Sequence, residues 1–243
     1  MFFRRIMFSA VMIGILTGIL LSAIQVIGVT PILLDAEVYE VAGEPAQIMP
    51  AHMDAESHHS DEAWGPEDGV ERVGYTVLAN VLAAIGFACM LLVVMSQFES
   101  RGLVKLTKLQ GILWGLAGYF IFFVVPGVGL PPEVPGSSAD LLEHRQSWWL
   151  LAVCGAAISL VTFVFAPVKF KLFGLLSLAL PFVVGAPHFD GPLFSNPDAN
   201  AVMALTELHQ QFIVATTVSN FIFWIALGIS CAWMLKSSLH ARL

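Results

Sequence analysis

The chain has 243 residues, of which 57% are hydrophobic and 12% charged, and its mean hydropathy is +0.80. A soluble domain carries about a quarter charged residues, so there is too little polar surface here to cover a water-soluble particle. The same figures exclude a disordered chain, a collagen-like fibre and a disulfide-stapled secreted module, and the net charge of −7 argues against a nucleic-acid partner.

A helix needs about 20 apolar residues to cross the hydrocarbon core of a bilayer. Six stretches reach or approach that length: 6–34, 73–95, 109–125, 148–166, 170–186 and 212–235, with no charged residue but Lys171 at the start of the fifth. The expected fold class is therefore all-α, a polytopic membrane helical bundle with six transmembrane helices, forming a single membrane domain over 1–243. The first stretch is longer than a span requires, and Pro31 near its outer end permits a kink. It runs on past the core of a signal peptide with no clear A-x-A site, which speaks against cleavage. The third and fifth stretches are short and each ends in a Gly/Pro cluster, so they are either full spans or segments that dip into the bilayer.

Lys and Arg set the orientation. Six spans with both termini cytoplasmic place Arg4, Arg5, Arg101, Lys105, Lys108, Lys169, Lys171, Lys236 and Arg242 inside, and only Arg72 and Arg145 outside. Five spans would spoil this nine-to-two division. Seventeen of the 18 acids then lie outside, Glu99 being the exception, with six of the seven histidines. The small residues Gly14 and Gly18, Gly111 and Gly115, Gly155 and Ser159, and Gly228 and Ala232 lie four apart and predict close helix packing. Trp148, Trp149 and Trp233 fall where an interfacial aromatic belt would. Cys89, Cys154 and Cys231 lie in apolar runs and read as packing residues. For the amides Gln25, Asn80 and Asn220, interhelical hydrogen bonds are expected.

The extracytoplasmic loop 35–72 between the first two spans is the one long polar segment. Its centre, residues 52–62, holds His52, His58 and His59 with Asp54, Glu56, Asp61 and Glu62. Imidazole with carboxylate is the ligand set of the borderline divalent metals, whereas carboxylate alone suits Mg or Ca. The alternative is a solvated acidic loop in which histidine is incidental. The rest of the loop reads as an interfacial cap, with an ion pair near Glu71 and Arg72. Shorter outer loops bring His144, His188 and His209 to the same face, His188 directly after Pro187 and His209 near Glu207. The metal-contacting set expected is thus His52, His58, His59, Asp61, Glu62, His188 and His209. GxxxxGK[ST], GxSxG and HExxH are all missing, so neither a P-loop nor a recognised hydrolase site is present, and no histidine in an apolar run offers an axial ligand to haem.

Several segments together resemble the CbtA family of bacterial cobalt transporter subunits. They are the MFFRR start at Met1, DAEVYE from Asp35 with the acidic histidine loop behind it, and WGPEDGVER from Trp64. LPPEVPG from Leu130, RQSWW from Arg145 and GAPH from Gly185 complete the set. The resemblance implies a multi-pass protein of the bacterial inner (plasma) membrane that takes up Co2+ for cobalamin synthesis, while the imidazole–carboxylate ligand set by itself keeps Ni2+ or Zn2+ as other candidates. It also implies a small single-span CbtB-like subunit as partner beside the lipid bilayer, and neither an enzymatic activity nor a tightly bound cofactor. A membrane-anchored metal sensor or buffer, and a metal-dependent membrane enzyme, are the competing functions.

Overall fold

The computed structural model describes residues 2–43 and 66–240. Its elements are α1 (Phe2–Gly28), α2 (Thr30–Gly43), α3 (Val70–Ser100), α4 (Lys108–Tyr119), a π-helical turn (Phe120–Val124), α5 (Val125–Gly129), α6 (Leu142–Phe165), a short 3-10 turn (Val168–Phe170), α7 (Lys171–Val184) and α8 (Ala199–His240). No strand forms among the described residues, and the chain is an all-helical bundle. Its flanks carry exposed large apolar side chains such as Leu16, Leu82, Val164 and Leu176, each at least 60% exposed, which only lipid can cover.

The first apolar stretch is two helices. Pro31 has no N–H to give to the carbonyl of Ile27, so α1 stops at Gly28 and α2 begins at Thr30. The beginning of the loop expected over 35–72 is thereby helical to Gly43. The third stretch bends for a related reason. Pro126 cannot donate to Phe122, and the turn upstream widens until the N–H of Val125 bonds to Phe120, five residues back. With this turn included, Lys108–Gly129 is a continuous apolar helix long enough to span.

Five helices are long and apolar enough to cross a membrane: those within Arg4–Gly28, Val70–Ser100, Lys108–Gly129, Leu142–Phe165 and Ala199–Ser237. The fifth expected span is shorter than the pattern of six requires. Pro167 stands before it and Gly185, at φ 87°, ends it, leaving α7 with 14 residues, about 21 Å. It still packs antiparallel along α6. A side chain at Gly155 would press on the Ser177 carbonyl and one at Gly174 on Thr162, while the Trp148 indole bonds to Pro181. By contrast α8, at 42 residues and about 63 Å, is twice the thickness of the hydrocarbon core. Glu207, Gln210 and Gln211 mark its N-terminal part as the portion that projects.

Glycine governs the two main helix contacts. Gly14 and Gly18 of α1 let α3 approach at Ile85 and Val81, and Gly111, Gly115 and Gly228 let α4 and α8 cross backbone to backbone. Gly118 leaves room for the ring of Trp224, which is 2% exposed. That ring stacks on Phe122 at 5.4 Å and meets Phe87 at 4.8 Å, closing the middle of the bundle with aromatics. Asn80 bonds across to Gln25 at 2.6 Å and Ser22 at 3.0 Å, as expected of an amide between helices. Asn220 does not: the Thr216 carbonyl one turn earlier on its own helix, at 2.9 Å, takes its amide. Cys231 is buried against Ala88 of α3, as a packing residue would be.

These contacts sort the ends. Phe98, Trp114 and Phe165 meet at one end, placing the turns after α3 and α6 together with Arg101, Lys105, Lys108, Lys169 and Lys171. At the other end α2, the loops 130–141 and 185–198 and the start of α8 form a layer over the bundle. Gly136 bonds to Glu40, Asn196 to the Tyr39 carbonyl and Ser138 to the Leu193 carbonyl.

Candidate functional site in the acidic end layer

The polar end layer is held by two arginines whose partners the sequence alone leaves open. Arg72 at the start of α3 binds both carboxylate oxygens of Glu37 on α2 and also Asp68, rather than its neighbour Glu71. Arg145 at the start of α6 binds Glu133 from the loop after α5, at 2.6 Å. That pair lines a largely apolar groove of about 590 Å³ between the π-helical turn with α5 and the start of α6, lined also by Phe122, Pro126 and Trp149. Trp148 does not join an interfacial belt. It is 4% exposed because its indole N–H reaches the Pro181 carbonyl at 2.9 Å inside the α6–α7 hairpin. Trp233, 64% exposed at the basic end, does suit that role.

The histidines fall into three environments. His144 is exposed on the first turn of α6, and its Nδ1 is 3.2 Å from Asp140. The Leu141 backbone N–H, and then His144, hold the Asp140 carboxyl below its ordinary range. His188 is also exposed. Its Nε2 lies 3.4 Å from Asp190 and its Nδ1 3.4 Å from the Ala186 carbonyl, so a ring on the fixed backbone after Pro187 has a carboxylate beside it. His209 is different in kind: it is 6% exposed, its ring meets the edge of Phe194 at 6.1 Å, and its Nδ1 has no hydrogen-bond partner.

His52, His58, His59, Asp61 and Glu62 lie outside the described residues. Among those described, no three His, Cys, Asp or Glu side chains come together as ligands for one ion. His188 and His209 share the end layer without forming one cluster. Two acids that the sequence reading did not single out enter here. Asp190 stands beside His188, which a spacing of two residues in a Gly/Pro-rich turn already hinted at. Glu133 comes into the same part of the layer as His209 because its neighbour Val134 packs with Phe194, Leu205 and Phe212, an arrangement with no local signal because 76 positions separate Glu133 from His209.

An all-helical bundle with lipid-facing flanks, a basic end and an acidic histidine-bearing end is a multi-pass membrane protein. The family model described as "Probable cobalt transporter subunit (CbtA)" matches residues 3–236, nearly the whole chain, and the chain belongs to that family. The family is one of transporter subunits, not of enzymes. No curated protein and no solved structure matches the chain.

Proposed function

We propose that this protein is the membrane-spanning part of an uptake system that carries a divalent transition metal, cobalt, inward across the bacterial inner membrane to supply cobalamin synthesis. The family match over residues 3–236 carries this reading. The charge arrangement supports its direction: an acidic outer end concentrates cations, and a basic end faces the cytoplasm. In this reading the chain passes six times, α7 being a short pass that returns along α6.

The loop cluster of His52, His58, His59, Asp61 and Glu62 captures ions loosely, and His188 with Asp190 and then His209 receive them nearer the bundle. Neutral imidazole selects cobalt, nickel or zinc over the far more abundant magnesium and calcium. The sequence contains no P-loop, so the membrane potential is the available drive, about 4.6 kcal/mol for a dication at 100 mV. A small single-span subunit completes the system.

Radioactive cobalt accumulation by cells with and without the chain tests this reading. Transport predicts continued accumulation well above one ion per protein molecule. Saturation at protein stoichiometry would instead make the protein a sensor or buffer.

A further inference from the structure

Among the described residues, His209 Nδ1 is the buried side-chain polar atom left without a partner. Leaving such an atom unpaired costs folding free energy, and a site that persists in that condition calls for an explanation. The ring lies on the projecting part of α8, one turn from Leu205 and Phe212, and is covered by Phe194, which is 5% exposed. Phe194 belongs to residues 186–198, a strap that crosses the end layer between α7 and α8.

The strap is fastened by few bonds. Leu193 accepts from Ser138 at 2.8 Å, Phe194 bridges to Ser137, and Asn196 donates to the Tyr39 carbonyl at 3.0 Å. It begins at Gly185, whose φ of 87° suits glycine and whose α-carbon faces open space. It ends where Asp198 accepts from Asn200 at the start of α8. Its one buried side chain is Phe194, which packs in a cluster with Val29, Ala36, Val134, Leu205 and Phe212, so the rest of the strap opens at lower free energy than the helices once that single ring leaves its cluster.

Position supplies the second element. Val134 packs in one buried cluster with Phe194, Leu205 and Phe212, which brings its neighbour Glu133 to the part of the layer that holds His209. The Glu133 carboxylate is paired with the Arg145 guanidinium at 2.6 Å, so a cation already stands beside it.

We infer that His209 Nδ1 is a ligand for a borderline divalent transition ion, that Glu133 is its carboxylate partner, and that the 186–198 strap hides this site until Phe194 lifts away. This rests on the transport reading and extends it: His188 and Asp190, carried on the strap, meet the ion first, and the buried imidazole takes it when the strap opens. Water fills the remaining coordination positions, so the ion is bound weakly enough to move on.

The test uses the purified full chain with its three native cysteines replaced by alanine. Ser138 and Ser195 have hydroxyl oxygens 3.4 Å apart, and Ser138→Cys with Ser195→Cys places two thiols where a disulfide pins the strap. The readout is paramagnetic broadening of the His209 ring resonance by Co2+, assigned through its loss in His209→Gln. With the strap reduced, Co2+ broadens the resonance. When it is oxidised the broadening slows at least tenfold, and reductant restores it. Phe194→Ala, which uncovers the ring without any disulfide, makes the broadening faster than in the parent chain.

A His209 resonance untouched by Co2+ in both the reduced chain and Phe194→Ala overturns the ligand assignment. Equal broadening in the pinned, reduced and Phe194→Ala chains overturns the strap. Cobalt uptake by cells is measured separately, with His209→Gln expected to lower it at least tenfold. If the parent chain accumulates no cobalt, the transport reading fails while the resonance still decides whether His209 binds metal.

Discussion

Trp148, near the start of α6, donates its indole N–H to the carbonyl of Pro181, near the end of α7, at 2.9 Å. That bond fixes the far end of a hairpin whose turn lies at Val168–Phe170, so the chain enters and leaves α6–α7 at the same end of the bundle. A 14-residue helix is short for a span, but the partner it lies along is not.

The hairpin makes a topological prediction. In a chain whose native cysteines are replaced, cysteine at Val70 or Phe189 reacts with a membrane-impermeant thiol reagent in intact cells, and cysteine at Leu103 or Val168 does not. All four positions are exposed, so burial does not confuse the result. Labelling at Val70 but not at Phe189 would mean that α7 does not cross, and six passes would be wrong.

Much of this architecture is legible in the sequence. Hydropathy locates the helices, Pro31 announces the break between α1 and α2, and the small residues spaced by four mark the faces that meet. What is not legible arises from distant contacts. Nothing beside Trp148 says that its indole would be drawn from the interface into a hairpin, and a neighbour one turn away pre-empts any interhelical bond from Asn220. The burial of His209 is partly readable: Leu205, His209, Phe212 and Thr216 share one face of α8, although Gln210 and Gln211 beside it read as solvent-facing. Its cover, Phe194, comes from a loop with no periodic pattern at all.

The α4–α8 crossing predicts opposite outcomes for two glycines. An added methyl at Gly228 would overlap the backbone of Gly111 and Gly115, whereas at Gly86 it would meet nothing within 4 Å. Gly228→Ala is expected to lower stability by about 2 kcal/mol through forced separation of the helices. Gly86→Ala should leave it unchanged or raise it by up to about 1 kcal/mol from helix propensity. Thermal unfolding in detergent reads both, and equal losses would refute the close crossing.

Histidine capture gives uptake a definite pH dependence. Protonated imidazole cannot bind a metal ion, and an ordinary imidazole titrates near pH 6.5, so uptake is predicted to be about tenfold lower at pH 5.5 than at pH 7.5. Capture by carboxylates alone would persist to about pH 4–5. An initial rate that stays flat between pH 7 and 5 would remove histidine from the path.

The captured ion is expected to depend unequally on the exposed histidines. His188 follows Pro187 and stands beside Asp190, with no other histidine nearby in sequence, whereas His52, His58 and His59 duplicate one another. At equal expression His188→Ala should lower cobalt uptake more than His58→Ala, and the triple alanine change at the loop should mainly raise the half-saturating concentration. Normal transport by His188→Ala with loss in His58→Ala would place the essential site in the loop.

The central claim is that the protein conducts a divalent transition metal inward, and cobalt accumulation in right-side-out membrane vesicles from producing cells, under an imposed inside-negative potential, tests it most directly. The account predicts accumulation many-fold above the amount of protein, abolished when the potential is collapsed and not competed by a large excess of magnesium. Cobalt retained only at protein stoichiometry, and equally with or without the potential, would contradict it.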